Sequence, residues 1–128
     1  MDKKSKILII DDEENFCHFV KLNLELTGRF EVLVATRAQA GISLAKKNLP
    51  DLVLLDILMP DMDGSMVAEN LLQEPTTKKI PIVFLTALAQ RKEVESGDGQ
   101  IGGRTFIAKP VTSQELIARI DSTLQKEI

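Results

Sequence analysis

Five short apolar runs punctuate this chain, and the stretches between and after them carry the spacing of helices. The runs are Ile7 to Ile10, Val32 to Ala35, Leu52 to Leu55, Ile82 to Leu85 and Thr105 to Ala108. Each is too short for a helix and rich enough in Ile and Val for a buried strand. The other segments set Phe16, Val20 and Leu24 on one apolar stripe. Ile42, Ala45 and Leu49 form a second, Val67 and Leu71 a third, and Leu116, Ile120 and Leu124 a fourth. Both 36-TRAQ-39 and 112-TSQE-115 fit a helix-starting capping box, and Pro50 and Pro75 mark helix ends. Strand and helix taking turns predicts an α/β doubly wound fold. Right-handed crossovers make its sheet parallel, and strands apolar throughout need helices on both faces.

In such sheets ligands collect beyond the carboxyl ends of the strands. There the chain is conspicuously polar. Asp11 and Asp12 follow the first run, Asp56 the third, Thr86 the fourth and Lys109 the fifth. Taken singly, 11-DDEE-14 reads as acids complementing the positive end of a helix, Thr86 as a helix cap and Lys109 as a surface lysine. Asp56 resists that treatment. A carboxylate ending a buried strand loses hydration and needs a cation or hydrogen-bond donors to stay ionised. Three carboxylates with one lysine leave a formal charge of −2, which a hard divalent cation would neutralise. Mg2+ fits best, since it prefers oxygen ligands, keeps several waters and is held by one or two carboxylates while sharing phosphate oxygens.

Composition excludes other classes. With 128 residues, 44% of them hydrophobic, the chain is the size of one domain, 1–128, with enough material for a core. A formal charge of −3 with no basic stripe argues against direct nucleic-acid binding. No run has the length or apolarity of a signal or membrane span, so the expected location is cytoplasmic and no membrane partner is expected. Cys17, the single cysteine, excludes a disulfide within the chain and reads as a small helix residue. His18, the single histidine, reads as an ordinary surface or boundary residue, because a metal site would want a second His or Cys.

The constellation of Asp11 and Asp12, Asp56 within 56-DILMPDMDG-64, 86-TA-87 and 109-KP-110 resembles the receiver domain of two-component response regulators. The resemblance covers about Ser5 to Leu124. It implies a flavodoxin-like five-stranded parallel sheet in the order 2-1-3-4-5, and a phosphoacceptor switch rather than an enzyme. Asp56 would accept a phosphoryl group from a histidine kinase or histidine phosphotransfer protein. Asp12 and Asp56 would ligate Mg2+ directly, Asp11 through water, and Leu58 through its backbone carbonyl. Lys109 would supply charge, and the Thr86 hydroxyl would turn towards the phosphoryl group. Phe106 would sit at the family's switch aromatic, with core packing as its rival reading. The resemblance also implies that the Lys109–Pro110 bond is cis. Asp61 and Asp63 read as structural.

Phosphoryl transfer needs in-line positioning and charge neutralisation rather than covalent help. Once phosphorylated, Asp56 would carry up to about two negative charges, offering new acceptor oxygens to Thr86 and Lys109. A flavin or nucleotide binder on this fold would want a glycine- or hydroxyl-rich loop after the first strand, where 11-DDEE-14 repels phosphate. An aspartyl phosphatase would carry a D-x-D pair where this chain has 56-DIL-58. The alternative left open is a receiver-like interaction module not regulated by phosphorylation. The expectation is a chemotaxis-regulator-like, stand-alone receiver, or else a domain of a longer chain with an output domain. In either form it would act on a downstream protein that the sequence does not identify.

The segment 90-QRKEVESGDGQIGGR-104 departs from the family. Its only large apolar residues are Val94 and Ile101, and Gly97, Gly99, Gly102 and Gly103 would each cost a helix roughly 1 kcal/mol relative to Ala. The fourth helix is therefore expected to be short, displaced or partly disordered past Ser96, and ordered on activation. A second departure bears on lifetime. Leu58 and Leu88 lie two residues beyond Asp56 and Thr86, positions that in the family flank the phosphoryl group. Both are apolar and neither can orient a water, so slow autodephosphorylation is expected. The double variant Leu58→Asn, Leu88→Glu should lose its phosphoryl group faster in a time course of label retention; an unchanged rate would remove shielding as the explanation.

Overall fold

The computed structural model describes residues 3–86, 100–101, 104–109 and 111–126. In chain order the elements are β1 (Ser5–Ile10), α1 (Glu14–Leu26), β2 (Phe30–Ala35), α2 (Ala38–Asn48), β3 (Leu52–Asp56) and α3 (Gly64–Gln73). After these come β4 (Ile82–Thr86), β5 (Gln100–Ile101), β6 (Arg104–Ala108) and α4 (Ser113–Lys126). The sheet order is β2-β1-β3-β4-β6-β5. The first five of these strands are parallel, so the expected five-stranded arrangement is present with β6 as its fifth member.

Alternate side chains of the central strands enter two separate cores, as the period of a pleated strand requires. Ile7, Ile9, Leu52, Leu54, Val83, Leu85 and Ile107 face Cys17, Val20 and Leu24 of α1 and Leu116 and Ile120 of α4. Leu8, Ile10, Val53, Leu55 and Phe84 face Ala38, Ile42 and Ala45 of α2 and Val67, Ala68 and Leu71 of α3. On this second face α2 approaches β1 so closely that a Cβ on Gly41 would lie 2.5 Å from Cδ1 of Ile10. The central strands are thus held by apolar contact above and below, and their carboxyl ends emerge along one edge.

Several local expectations need correction. Leu49 does not join the stripe of α2: it is 52% exposed and caps the helix in the left-handed conformation, with φ 49°, because Pro50 has no N–H with which to continue the ladder. The box 36-TRAQ-39 does not form either. The N-cap is Arg37, which makes no side-chain capping bond. Instead the Ala38 N–H donates to both carboxylate oxygens of Asp61, at 3.2 and 3.0 Å. The second box does form in part, as Thr112 Oγ1 accepts from the Glu115 N–H at 3.1 Å.

In the segment expected to hold the fourth helix, Gln100 and Ile101 form a strand, antiparallel to Thr105 and Arg104. The two residues between these strands in sequence are Gly102 and Gly103, the composition that a two-residue hairpin connection favours. Residues 87–99, with Ala87, Leu88 and the rest of the expected helix, lie outside the described residues, as does Pro110.

Asp61 joins the loop after β3 to the first turn of α2, a connection between elements 23 residues apart. Asp61→Ala should therefore lower the unfolding free energy by about 1 kcal/mol, the usual value of an N-terminal cap. A reduced urea midpoint at unchanged slope is the expected reading, and Asp61→Asn, which keeps one acceptor oxygen, should recover most of the loss.

Candidate functional site

The site begins where β1 and β3 run out of apolar residues. Hydrogen bonds of the sheet continue for one further residue at each place: the Asp11 N–H donates to the Ala35 carbonyl at 3.0 Å and the Ile57 N–H to Leu85 at 3.2 Å. Asp11 and Asp56 are consequently fixed as rigidly as the strands they end. Asp11 is fully buried, Asp56 is 7% exposed and Thr86 is 1% exposed. Asp12 turns outward to solvent. Carboxylate oxygens of Asp11, Asp12 and Asp56 nevertheless approach within 4.8 Å of one another. At that spacing three anionic oxygens repel unless a cation lies among them, and an all-oxygen donor set of this kind suits a hard divalent ion.

The two buried carboxylates are compensated unequally. Asp11 accepts from the Glu13 N–H through Oδ1 at 2.9 Å and from Lys109 Nζ through Oδ2 at 2.8 Å. Among the described residues Asp56 receives only a long bond, 3.4 Å, from the Leu58 N–H to Oδ1. Burial, reinforced by the charge of Asp11, pushes the Asp56 carboxyl up to about 7. An acid this poorly compensated is primed to gain a cation or to exchange charge with a ligand.

Lys109 follows β6 and is oriented by its own backbone, whose N–H donates to the Thr86 carbonyl at 2.9 Å. Its ammonium pairs with Asp11 and also with Glu13, and lies 4.8 Å from the centre of the Phe16 ring. Burial works against its charge, but the carboxylates of Asp11 and Glu13 outweigh that and hold it above its ordinary value. Lys109 makes no hydrogen bond to Asp56 among the described residues. Glu13 is the functional neighbour that sequence reasoning missed; it was visible only as one more acid in 11-DDEE-14.

Other predicted residues fall into place with plainer roles. Leu58 is 71% exposed, beside the rim. Phe106 is half-buried on the α2 and α3 side and stacks on Phe84 with ring centres 5.3 Å apart. The Cys17 thiol donates to the Asp11 carbonyl at 3.2 Å, and burial together with Asp11 pushes it up to about 12, so it remains a neutral thiol beneath the site. His18 is exposed. Asp63 caps α3 by accepting from the Ser65 N–H. Beside Asp12 opens a groove of about 440 Å³, flanked by Glu14, Arg37 and Pro60.

Comparison with known proteins agrees with this geometry. Residues 7–121 match the profile of the response regulator receiver domain. The chain is 35% identical over 121 residues to the DNA-binding dual master transcriptional regulator RpaA of Synechocystis, covering 94% of this chain and 49% of RpaA. It is 37% identical over 119 residues to the response regulator PleD of Caulobacter vibrioides, covering 92% of this chain and 26% of PleD. It thus spans about half the length, or less, of these curated relatives. Among solved structures, a putative response regulator from Chloroflexus aurantiacus superposes with a TM-score of 0.82 at 32% identity, covering 96% of this chain and 99% of its own. A CheY-like receiver domain protein from Methanospirillum hungatei gives 0.79 at 26% identity, covering 98% and 97%.

The loop that carries Asp56 depends on one close approach. The Gly64 N–H donates to the Ile57 carbonyl at 2.7 Å, and a Cβ on Gly64 would lie 2.5 Å from the Asp56 carbonyl oxygen and 2.8 Å from Ile57 Cα. Both are backbone atoms and cannot rotate aside. Gly64→Ala should cost about 1–3 kcal/mol of stability and weaken divalent-cation binding measured by calorimetry, whereas Ser65→Ala, at the exposed next residue, should change cation binding little.

Proposed function

This chain belongs to the response regulator receiver domain family, and from that membership we propose that it is a phosphoacceptor switch of a two-component phosphorelay. Asp56 would accept a phosphoryl group from a phosphohistidine on a histidine kinase or histidine phosphotransfer protein. The observation that carries this reading is the convergence of Asp11, Asp12 and Asp56 within 4.8 Å at the rim, with Lys109 bound to the first of them.

Mg2+ suits the donor set: Asp12 and Asp56 would ligate it directly, Asp11 through water and Leu58 through its carbonyl, and when bound it would neutralise the phosphoryl oxygens. In the transfer, a carboxylate oxygen of Asp56 attacks phosphorus, the P–N bond breaks, and its electron pair returns to the departing imidazole. Asp56 is presented for attack because its strand is locked by buried Leu52 to Leu55, so no freedom remains to be lost in aligning it. Lys109 then neutralises one phosphoryl oxygen. The Thr86 hydroxyl donates to another, and Phe106 on the adjacent strand fills space vacated on that side. Support for the last step is the register that pairs Thr86 with Ala108 and Phe84 with Phe106.

The resulting change of surface would alter binding to a downstream protein or output domain in the cytoplasm, without direct nucleic-acid contact by this domain and without a membrane partner. The chain's own chemistry is limited to phosphorylation and dephosphorylation of itself. An interaction module indifferent to phosphate would have no use for three carboxylates gathered within 4.8 Å at the rim, so the first reading is preferred.

Incubation with a small-molecule phosphodonor and Mg2+ should add one phosphoryl group, labile to hydroxylamine, at Asp56. Intact-mass spectrometry should show the added group lost in Asp56→Asn and after chelation of Mg2+. Undiminished labelling of Asp56→Asn would overturn the assignment.

A further inference from the structure

Lys109 is shared. Its ammonium is bonded at once to buried Asp11 and to Glu13, and the lysine side chain is only 14% exposed while that of Glu13 is 62% exposed. The Phe16 ring flanks it, 4.8 Å away. These contacts hold the ammonium at the start of α1; it acts on Asp56 through its charge, with no hydrogen bond to it among the described residues. Glu13 is itself well anchored, because its N–H donates to Oδ1 of Asp11 at 2.9 Å, the same carboxylate that takes the lysine through its other oxygen. We propose that Glu13 is a positioning residue that competes with the phosphoryl group for Lys109, acting as a latch that must open for the phosphorylated state to form. This rests on the phosphoacceptor reading of Asp56 and goes beyond it.

The physical case lies in the inequality of the two partners. Asp11 is dry and has no other partner on Oδ2 among the described residues, so losing Lys109 there leaves a poorly compensated buried charge. Glu13 is wet, and water replaces the lysine at small cost. A new dianionic group at Asp56 therefore recruits Lys109 by breaking the Glu13 contact and keeping the Asp11 contact. The strength of the Glu13 contact is subtracted from the affinity for the phosphoryl group, because one ammonium cannot serve both fully. The influence of Glu13 on Asp56 passes through Lys109, the residue it touches.

Beryllofluoride, a phosphoryl mimic that binds an aspartate carboxylate, tests this on the whole chain at saturating Mg2+. An exposed ion pair is worth a few tenths to about 1 kcal/mol, so Glu13→Gln should bind beryllofluoride about two- to fivefold more tightly. Glu13→Asp, one methylene shorter, should lie between it and the parent. In the Lys109→Ala background the effect of Glu13→Gln should disappear. Unchanged or weaker binding in Glu13→Gln, or an effect that persists without Lys109, would overturn the latch. Beryllofluoride binding by Asp56→Asn would instead overturn the phosphoacceptor reading and the latch with it. If Asp56→Asn loses binding while Glu13→Gln matches the parent, the latch fails and the phosphoacceptor reading stands.

Discussion

Burial of two carboxylates at the end of a hydrophobic sheet is the constraint to which the rest of the molecule answers. Asp11 is fully buried and Asp56 nearly so, and each would be far more comfortable in water. Strands β1 and β3 are apolar on both faces and clamped between helices, so neither acid can relax outward. Among the described residues, what compensates them is fixed dipoles and one lysine. Asp11 receives the larger share, an N–H and an ammonium. Asp56 is left undercompensated, which is why its carboxyl sits near 7. A fold optimised only for stability would not hold an acid there.

The loop after β3 shows how one short acidic segment is divided between chemistry and architecture. Asp56 ends the strand. Asp61 and Asp63 have similar side chains in similar surroundings by sequence, yet one closes the first turn of α2 and the other that of α3. The two caps and the Gly64 to Ile57 bond tie the loop at both ends to the same helical layer. Asp56 is thereby held from below by the sheet and from the side by its own loop, the arrangement that the proposed role of a pre-positioned nucleophile would need.

On the opposite side of the rim the geometry is less symmetrical. Lys109 is delivered by β6 and oriented by a backbone bond to Thr86, so the residues at the ends of β4 and β6 are mechanically linked. Phe84 and Phe106, two residues earlier on the same strands, stack across that register. Movement of the Thr86 side chain, of Lys109 and of Phe106 would therefore share one pair of strands, a short physical path from the acid cluster to the far edge of the sheet.

The amino-acid sequence by itself determined the architecture and the inventory of the rim. Apolar runs of strand length, four of the five followed by Asp11, Asp56, Thr86 or Lys109, are local patterns, and a parallel sheet brings all their carboxyl ends to one edge whatever the loops do. Other features belonged to tertiary structure alone. The pairing of Lys109 with Glu13 spans 96 residues and the Asp61 cap on Ala38 spans 23; no local rule distinguishes these acids from their neighbours. Leu49 carried the right spacing for the buried stripe, and only the end of the helix before Pro50 turned it outward. The short strand Gln100–Ile101 pairs antiparallel with β6, a contact that the spacing of apolar residues along the chain does not show. Composition selects which groups stand at the ends of the strands, but which of them touch depends on loops meeting in space, where differences in distance of an ångström decide the partner.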